Sequence, residues 1–448
     1  MRYLPKSPTE RQEMLSAIGA KSIDELFLRI PERYRLAEAL KLPGPYSEAE
    51  VIEYFTDRSR ENSLGYTSFL GAGVYRHLRS VVTDTIIQRG EFLTSYTPYQ
   101  AEISQGTLQA IFEFQTLMCQ LTGQEVANAS MWDGSTATTE AVLMAERLTK
   151  RRRVLVARSL HSEYRDVLRT YVQNSQLQID EIGFGGDGRL DGNELEAALG
   201  EDVAALVIQS PNFLGCIEYS PELAERMHRT GALLVVAVTE GVSLGAVRAP
   251  ADADIVALEG QSFGLPPSYG GPYVGVIATK EKFVRQMPGR LAGQAADAEG
   301  RRGFVLTLAT REQHIRRERA TSNICTNQAL CALAATVHLT LLGKEGLREM
   351  AEQNLSKAHF ALDALIQIPG VRRAFDASFF NEFTIVLPQP VEVVNRQLLA
   401  NKIIGPLALE SRYPALKRHA LVCVTETTSR KQMEGFALTL RRVLGHDR

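Results

Sequence analysis

Between Lys150 and Lys280 the chain of 448 residues contains no lysine. The middle of the sequence therefore offers no side-chain primary amine, and with it no group able to form an imine with an aldehyde. Cysteine is also scarce. The five present, Cys119, Cys216, Cys325, Cys331 and Cys423, are odd in number and scattered. That pattern fits a reducing compartment better than a disulfide framework. Cys325 and Cys331 have no histidines or cysteines at metal-ligand spacing, so no metal site is expected. An excess of one charge is missing too, with 50 Lys and Arg against 52 Asp and Glu and a net charge of −2. This balance gives no electrostatic case for nucleic acid or an anionic membrane. Long apolar runs are lacking. Met1–Lys6 has no signal-peptide core, and Ala329–Leu342 falls short of the roughly 20 residues of a membrane span. That segment also carries Thr336, His338 and Thr340. It reads as a core helix of a cytoplasmic protein.

What is present is an ordinary globular balance, 44% hydrophobic and 23% charged. The length suits a large α/β domain with a smaller companion. Residues 1–65 read as an arm of short helices separated by Pro31, Pro43 and Pro45. Ser22-Ile23-Asp24-Glu25-Leu26 has the cap and first-turn acids of a helix start. From 66 to 310, continuous apolar runs at 154–157, 204–208 and 233–238 alternate with helical patterns such as 221–229. They predict a mainly parallel sheet covered on both faces. Residues 311–344 are expected as connecting helices, a charged one over 311–320 and an apolar one over 325–342. A small α+β unit follows over 345–448, with strands at 382–387 and 420–424. The small and charged residues from Ala292 to Gly303 predict a flexible loop.

The segment from Gly260 to Pro272 follows a buried-looking strand at 254–258 and ends in Ser268-Tyr269-Gly270-Gly271. This is the frame in which a pyridoxal-phosphate enzyme presents its Schiff-base lysine, with the lysine absent. Trp132–Glu140 opens a helix. Its small hydroxyl residues suit either a plain capped start or an anion site at free backbone amides. His161, on the loop after the 154–157 strand, is expected as a solvated or hydrogen-bonded histidine, with stacking on a cofactor ring as the alternative. Thr239 and Glu240 end the 233–238 strand, where such enzymes place an aspartate against the pyridine nitrogen. Glu240 is expected to be a surface or salt-bridged acid. Thr321, Ser322 and Asn323, a turn before a helix, could hold a phosphate, including one that belongs to a neighbouring subunit. Two further motifs are set aside. Asp187–Gly192 lacks the acids of a calcium loop, and Gly71-Ala72-Gly73 lacks the third glycine of a dinucleotide fingerprint.

Taken together, the chain resembles the α half, subunit 1, of the split P protein of the glycine cleavage system, glycine dehydrogenase (decarboxylating). Three motifs carry the resemblance in order: Ser95–Gly106, Gly260–Pro272 and Arg311–Gln328. It spans essentially the whole chain. It implies a fold-type-I pyridoxal-phosphate-transferase-like α/β fold with a small C-terminal α+β domain. It places the family's cofactor lysine at Gln261, with Phe263 and the glycine-rich turn in register. It implies that pyridoxal phosphate sits in a partner, P protein subunit 2 (β), and that none is held covalently here. The pair then decarboxylates glycine and passes the aminomethyl group to the lipoyl arm of H protein, with T and L proteins as functional associates. Fold-type-I dimers share their active sites between chains, so Thr321, Ser322 and Asn323 are expected at the partner's cofactor phosphate. Tyr96, Tyr99 and Gln100 are expected at the active-site entrance. Two other readings stay open here: a stand-alone enzyme using another lysine such as Lys280, and a structural or regulatory pseudoenzyme.

Overall fold

The computed structural model describes residues 6–36, 38, 40–62 and 64–446. Short runs of aliphatic residues build a seven-stranded sheet: β1 (Val126–Ala127), β2 (Arg153–Ala157), β3 (Gln178–Ile182), β4 (Val203–Gln209), β5 (Leu233–Val238), β6 (Ile255–Glu259) and β7 (Gly275–Thr279). Their order is β1-β7-β6-β5-β4-β2-β3. Strands β2 to β6 run parallel, while β7 is antiparallel to both β6 and β1. The pleat sends alternate residues to opposite faces. Leu206, Ile208, Leu234 and Val236 enter one core, and Ala205, Val207, Val235 and Ala237 enter the other. A sheet buried on both sides has no polar face, so its central strands read as unbroken hydrophobic runs. Deleting a side chain such as Leu206, which is fully buried, costs about 2–5 kcal/mol by lost transfer energy and cavity formation.

Helices Gln105–Thr122, Gly134–Thr149, Ser162–Val172 and Pro221–Arg229 cover the sheet. The helix Ala329–Ile366 continues far past the expected 342, broken only at Gly343, whose φ of 61° and ψ of −171° are not helical. Its length and composition would allow a membrane span, but half of its most apolar window is buried within the chain, as in a core helix. A four-stranded antiparallel sheet, in the order Arg372–Arg373, Glu382–Val386, His419–Cys423 and Leu407–Ala408, makes a second core with the helices Val391–Ala400 and Arg430–Val443. Thr67–Ser68 pairs in parallel with Ile403–Ile404 beside it. That pairing fixes where the next residues, Gly71–His77, start.

The chain divides once by compactness, into Met1–Leu64 and Gly65–Arg448. In the first unit the helices are Pro8–Ala17 and Glu48–Arg60, each opened by a serine capping box at Ser7 and Ser47. The expected start at Ser22 makes only a 3₁₀ turn, Asp24–Phe27, with no side-chain cap. Two other expectations are corrected. The charged run 311–320 is not a continuous helix but three short turns, interrupted where Arg317 takes φ 53°. Arg311 instead spends its guanidinium on the carbonyls of Met287, Leu308 and Gly289. Residues 292–303 are not a loop: Leu291–Ala296 and Arg302–Thr307 form a hairpin, closed by Asp297 accepting from Arg301.

Candidate functional site

In a parallel sheet, ligands gather outside the carboxyl ends of the strands. Here that edge presents His161 after β2, Gln209 in β4, Thr239 and Glu240 after β5, and Glu259 and Gln261 from β6. All six are buried. Their chemistry is already taken up by the chain itself.

Gly71–His77 lies across this edge. The Gln261 amide accepts from the Tyr75 backbone N–H at 2.9 Å, and donates to the Tyr75 carbonyl at 2.9 Å and to the Leu265 carbonyl at 2.8 Å. Tyr75 donates its hydroxyl to Glu382 at 2.8 Å, and the Ala72 N–H reaches the same carboxylate. Burial raises the Glu382 carboxyl to about 7, against the lowering effect of these two donors. His161 meets the Ala72 carbonyl at 2.9 Å, so it is a buried, hydrogen-bonded residue rather than a solvated one. His77 stands between two acids, 3.0 Å from Glu240 and 2.7 Å from Glu426. Burial alone would lower its pKa, but the two carboxylates raise it to about 10. Glu240 is thus salt-bridged and buried, not on the surface, and Asn381 and the Val242 N–H complete its shell. Two glycines allow this close approach. A Cβ on Gly73, at φ +94°, would lie 2.9 Å from His161 Nε2, and one on Gly71 would lie 2.6 Å from Glu382.

The helix Gly134–Thr149 is equally engaged. Asp133 caps it by accepting from Thr136 N–H at 2.8 Å. Glu259 accepts from Gly134 N–H at 2.8 Å, and also from the backbone N–H groups of Gln261 and Val274. Complete burial raises the Glu259 carboxyl to about 8 even with these donors. Amides that would otherwise attract an anion are held by the protein's own carboxyl groups.

Lys280, the alternative amine, lies at the other edge of the sheet. It follows Thr279, whose register partner Ile255 begins β6, whereas Gln261 follows Glu259 at the opposite end of that strand. Five residues at roughly 3.3 Å each separate them, beyond the reach of a lysine side chain. The Lys280 amine donates to the Ala251 carbonyl.

A second group of polar residues joins two of the sequence motifs. Arg290, 4% exposed, donates to the Tyr99 hydroxyl at 3.1 Å and to Thr97 Oγ1 at 3.3 Å. Its guanidinium lies 5.3 Å from the Tyr99 ring centroid and 3.6 Å from the Glu312 carboxylate. A small cleft beside it is lined by Arg311, Glu312, Thr321 and Ser322. The Ser322 hydroxyl donates to Glu140 at 2.8 Å and accepts from the Ile324 N–H. Thr321 is half-buried; Asn323, Tyr96, Tyr99 and Gln100 are exposed.

A mostly parallel sheet in this strand order, with a helix N-terminus and polar strand ends at one edge, defines the fold class of pyridoxal-phosphate fold-type-I enzymes. The fold is shared with a sphingosine-1-phosphate lyase of Burkholderia pseudomallei K96243 (TM-score 0.65, 18% identity, 92% of this chain and 93% of that one). It is also shared with glutamate decarboxylase of Lactobacillus brevis CGMCC 1306 (0.69, 13%, 94% and 97%). More specifically, the chain belongs to the glycine cleavage system P-protein family, whose model matches residues 1–440. It is 53% identical over 439 residues to probable glycine dehydrogenase (decarboxylating) subunit 1 of Koribacter versatilis (strain Ellin345), covering 98% of this chain and 99% of that protein. It is 56% identical over 436 residues to the protein of the same description from Solibacter usitatus (strain Ellin6076), covering 97% and 96%. A crystal structure of glycine decarboxylase (P-protein) of the glycine cleavage system, in inhibitor-bound form, superposes with a TM-score of 0.91 at 42% identity, over 99% of this chain and 100% of that one.

Sequence reasoning passed over Tyr75, His77, Glu259, Glu382 and Arg290. For the first two a signal existed. Paired glycines at 71 and 73 mark a close backbone approach, a signal separate from any nucleotide fingerprint. Glu259 and Glu382 end or begin apolar strands, where nothing local shows that an acid is buried.

Proposed function

We propose that this chain is the half of a two-chain glycine dehydrogenase (decarboxylating) that does not hold the cofactor. It completes the active site of a subunit 2 partner, in which pyridoxal phosphate decarboxylates glycine before transfer of the aminomethyl group to the lipoyl arm of H protein. Family membership and full-length likeness to subunit 1 support the reaction. The observation that carries the assignment between chains is the bonding of Gln261. Where the family's frame puts an amine, an amide holds the Tyr75 backbone by two hydrogen bonds.

The residues at this edge do not fit pyridoxal phosphate. An amide cannot form an imine. A phosphate at Gly134 would have to displace Glu259 and sit beside Asp133. The crevice facing Glu240 is filled by His77. No step of the reaction is therefore assigned to this edge. Its buried network supports a rigid subunit, since satisfied polar groups in a low-dielectric interior fix one arrangement.

Thr321, Ser322 and Asn323 are proposed to face the partner's cofactor phosphate, and Tyr96, Tyr99 and Gln100 the approach to that site. The placement of Thr321 and Ser322 in the cleft beside Arg290, and the bond from Arg290 to Tyr99, support a common face for these three. The Ser322 hydroxyl would have to turn its single proton from Glu140 to donate to a phosphate. The test is co-expression with subunit 2, assaying glycine decarboxylation by each chain alone and by both. Activity only in the pair, and cofactor retained by subunit 2, is expected. Decarboxylation by this chain alone would sink the proposal.

A further inference from the structure

We infer that Arg290 is the positioning residue of the proposed approach surface, holding Tyr99 and Thr97 in place against the Glu312–Cys325 segment. The inference rests on the reading that Tyr99 lines the way to the partner's site. The guanidinium is buried, yet its bonds go to hydroxyls of an exposed segment: Tyr99 at 3.1 Å and Thr97 at 3.3 Å. A third contact reaches Cys325 Sγ at 3.8 Å. Tyr99 is 57% exposed, so Arg290 fixes from beneath a ring that faces outward. The anchor itself is stiff, because the Arg290 carbonyl accepts from Ala129 N–H beside the main sheet. Among the described residues, Arg290 Nε and Glu312 Oε2 make no hydrogen bond although they lie 3.6 Å apart. A buried ion pair that is not closed by a hydrogen bond is costly. Its retention here points to a use beyond packing. A planar fork is what allows one cation to serve two hydroxyls at once; an ammonium cannot reproduce it.

The test uses the two-chain complex with lipoylated H protein as the varied substrate. Arg290→Lys keeps the charge and loses the fork, and Tyr99→Phe removes the accepting hydroxyl. Each is expected to raise KM for H protein roughly tenfold, the scale of a hydrogen bond to a charged group, with kcat falling less than about threefold. The double variant should be no worse than Arg290→Lys alone, because that change already deletes the Tyr99 contact. Additive effects, or a wild-type KM in Arg290→Lys, overturn the inference. Failure of Arg290→Lys to assemble with the partner also overturns it, making Arg290 a packing residue. Tyr99→Ala separates the two levels. An unchanged KM there removes the approach reading and this inference with it; a raised KM without coupling to Arg290 removes this inference alone.

Discussion

His77 stands 3.0 Å from Glu240 and 2.7 Å from Glu426, a buried cation between two acids, one at the end of β5 and one just after the strand His419–Cys423. The pair with Glu240 closes the end of β5. Replacing His77 with alanine leaves both acids buried and unpaired. The expected loss of unfolding free energy is about 3–5 kcal/mol, measured by denaturant titration. A loss under about 1 kcal/mol would show that the network does not hold this segment.

Stability should also fall as pH rises. His77 is raised from its ordinary 6.5 to about 10, Glu382 to about 7 and Glu259 to about 8. Each group binds its proton more tightly folded than unfolded, so unfolding releases protons and the contribution fades as pH passes the folded values. Glu426 is shifted the other way: burial would raise it, but His77 and the hydrogen bonds of the Leu78 N–H and Asn354 lower it, so its contribution is lost on acidification. The maximum is expected near pH 5, with a decline from there to about 10, the carboxyls contributing first and His77 above about 6.5. Melting temperatures across that range check it, and a rise toward pH 9 would contradict it.

Gln261→Lys restores the family's amine but not the space around it. The new side chain would face the carbonyls of Tyr75 and Leu265, and the Tyr75 N–H would lose its acceptor. A destabilisation of about 1–3 kcal/mol is expected, with no visible Schiff-base absorption on adding pyridoxal phosphate. A stable yellow species in this variant would show that the crevice is open.

Thr321→Ala with Ser322→Ala should weaken cofactor retention by the two-chain complex roughly tenfold, if the pair faces the partner's phosphate. Ser322→Ala alone also orphans Glu140, whose carboxyl is raised by burial despite the Ser322 hydrogen bond. A lower melting temperature with unchanged cofactor affinity would confine Ser322 to packing.

The fold was legible wherever burial dictates pattern. The apolar runs at 154–157, 204–208 and 233–238 all became central strands, because strands covered on both faces tolerate no polar alternation. Helix 221–229 was readable from its proline start and its single apolar stripe. Elements set by tertiary bonds were not. The first strand of the hairpin at 291–307 is made of small residues with little strand preference, and Gln105 and Gln115 bond the hairpin backbone from outside. The run 311–320 has helix-forming charges but no apolar face to bury, and Arg311 anchors it elsewhere. At the site, the missing lysine was visible at Gln261, while its replacement partners were not. Tyr75 and His77 lie far from Gln261 in sequence, and only the folded chain brings them together.

The most direct test is borohydride reduction of the two-chain complex loaded with pyridoxal phosphate, followed by mapping of the pyridoxyl label. The label is expected on a lysine of subunit 2 and on none in this chain. A pyridoxyl group on Lys280, or on any other lysine of this chain, in stoichiometric yield would contradict the division of labour proposed between the two subunits.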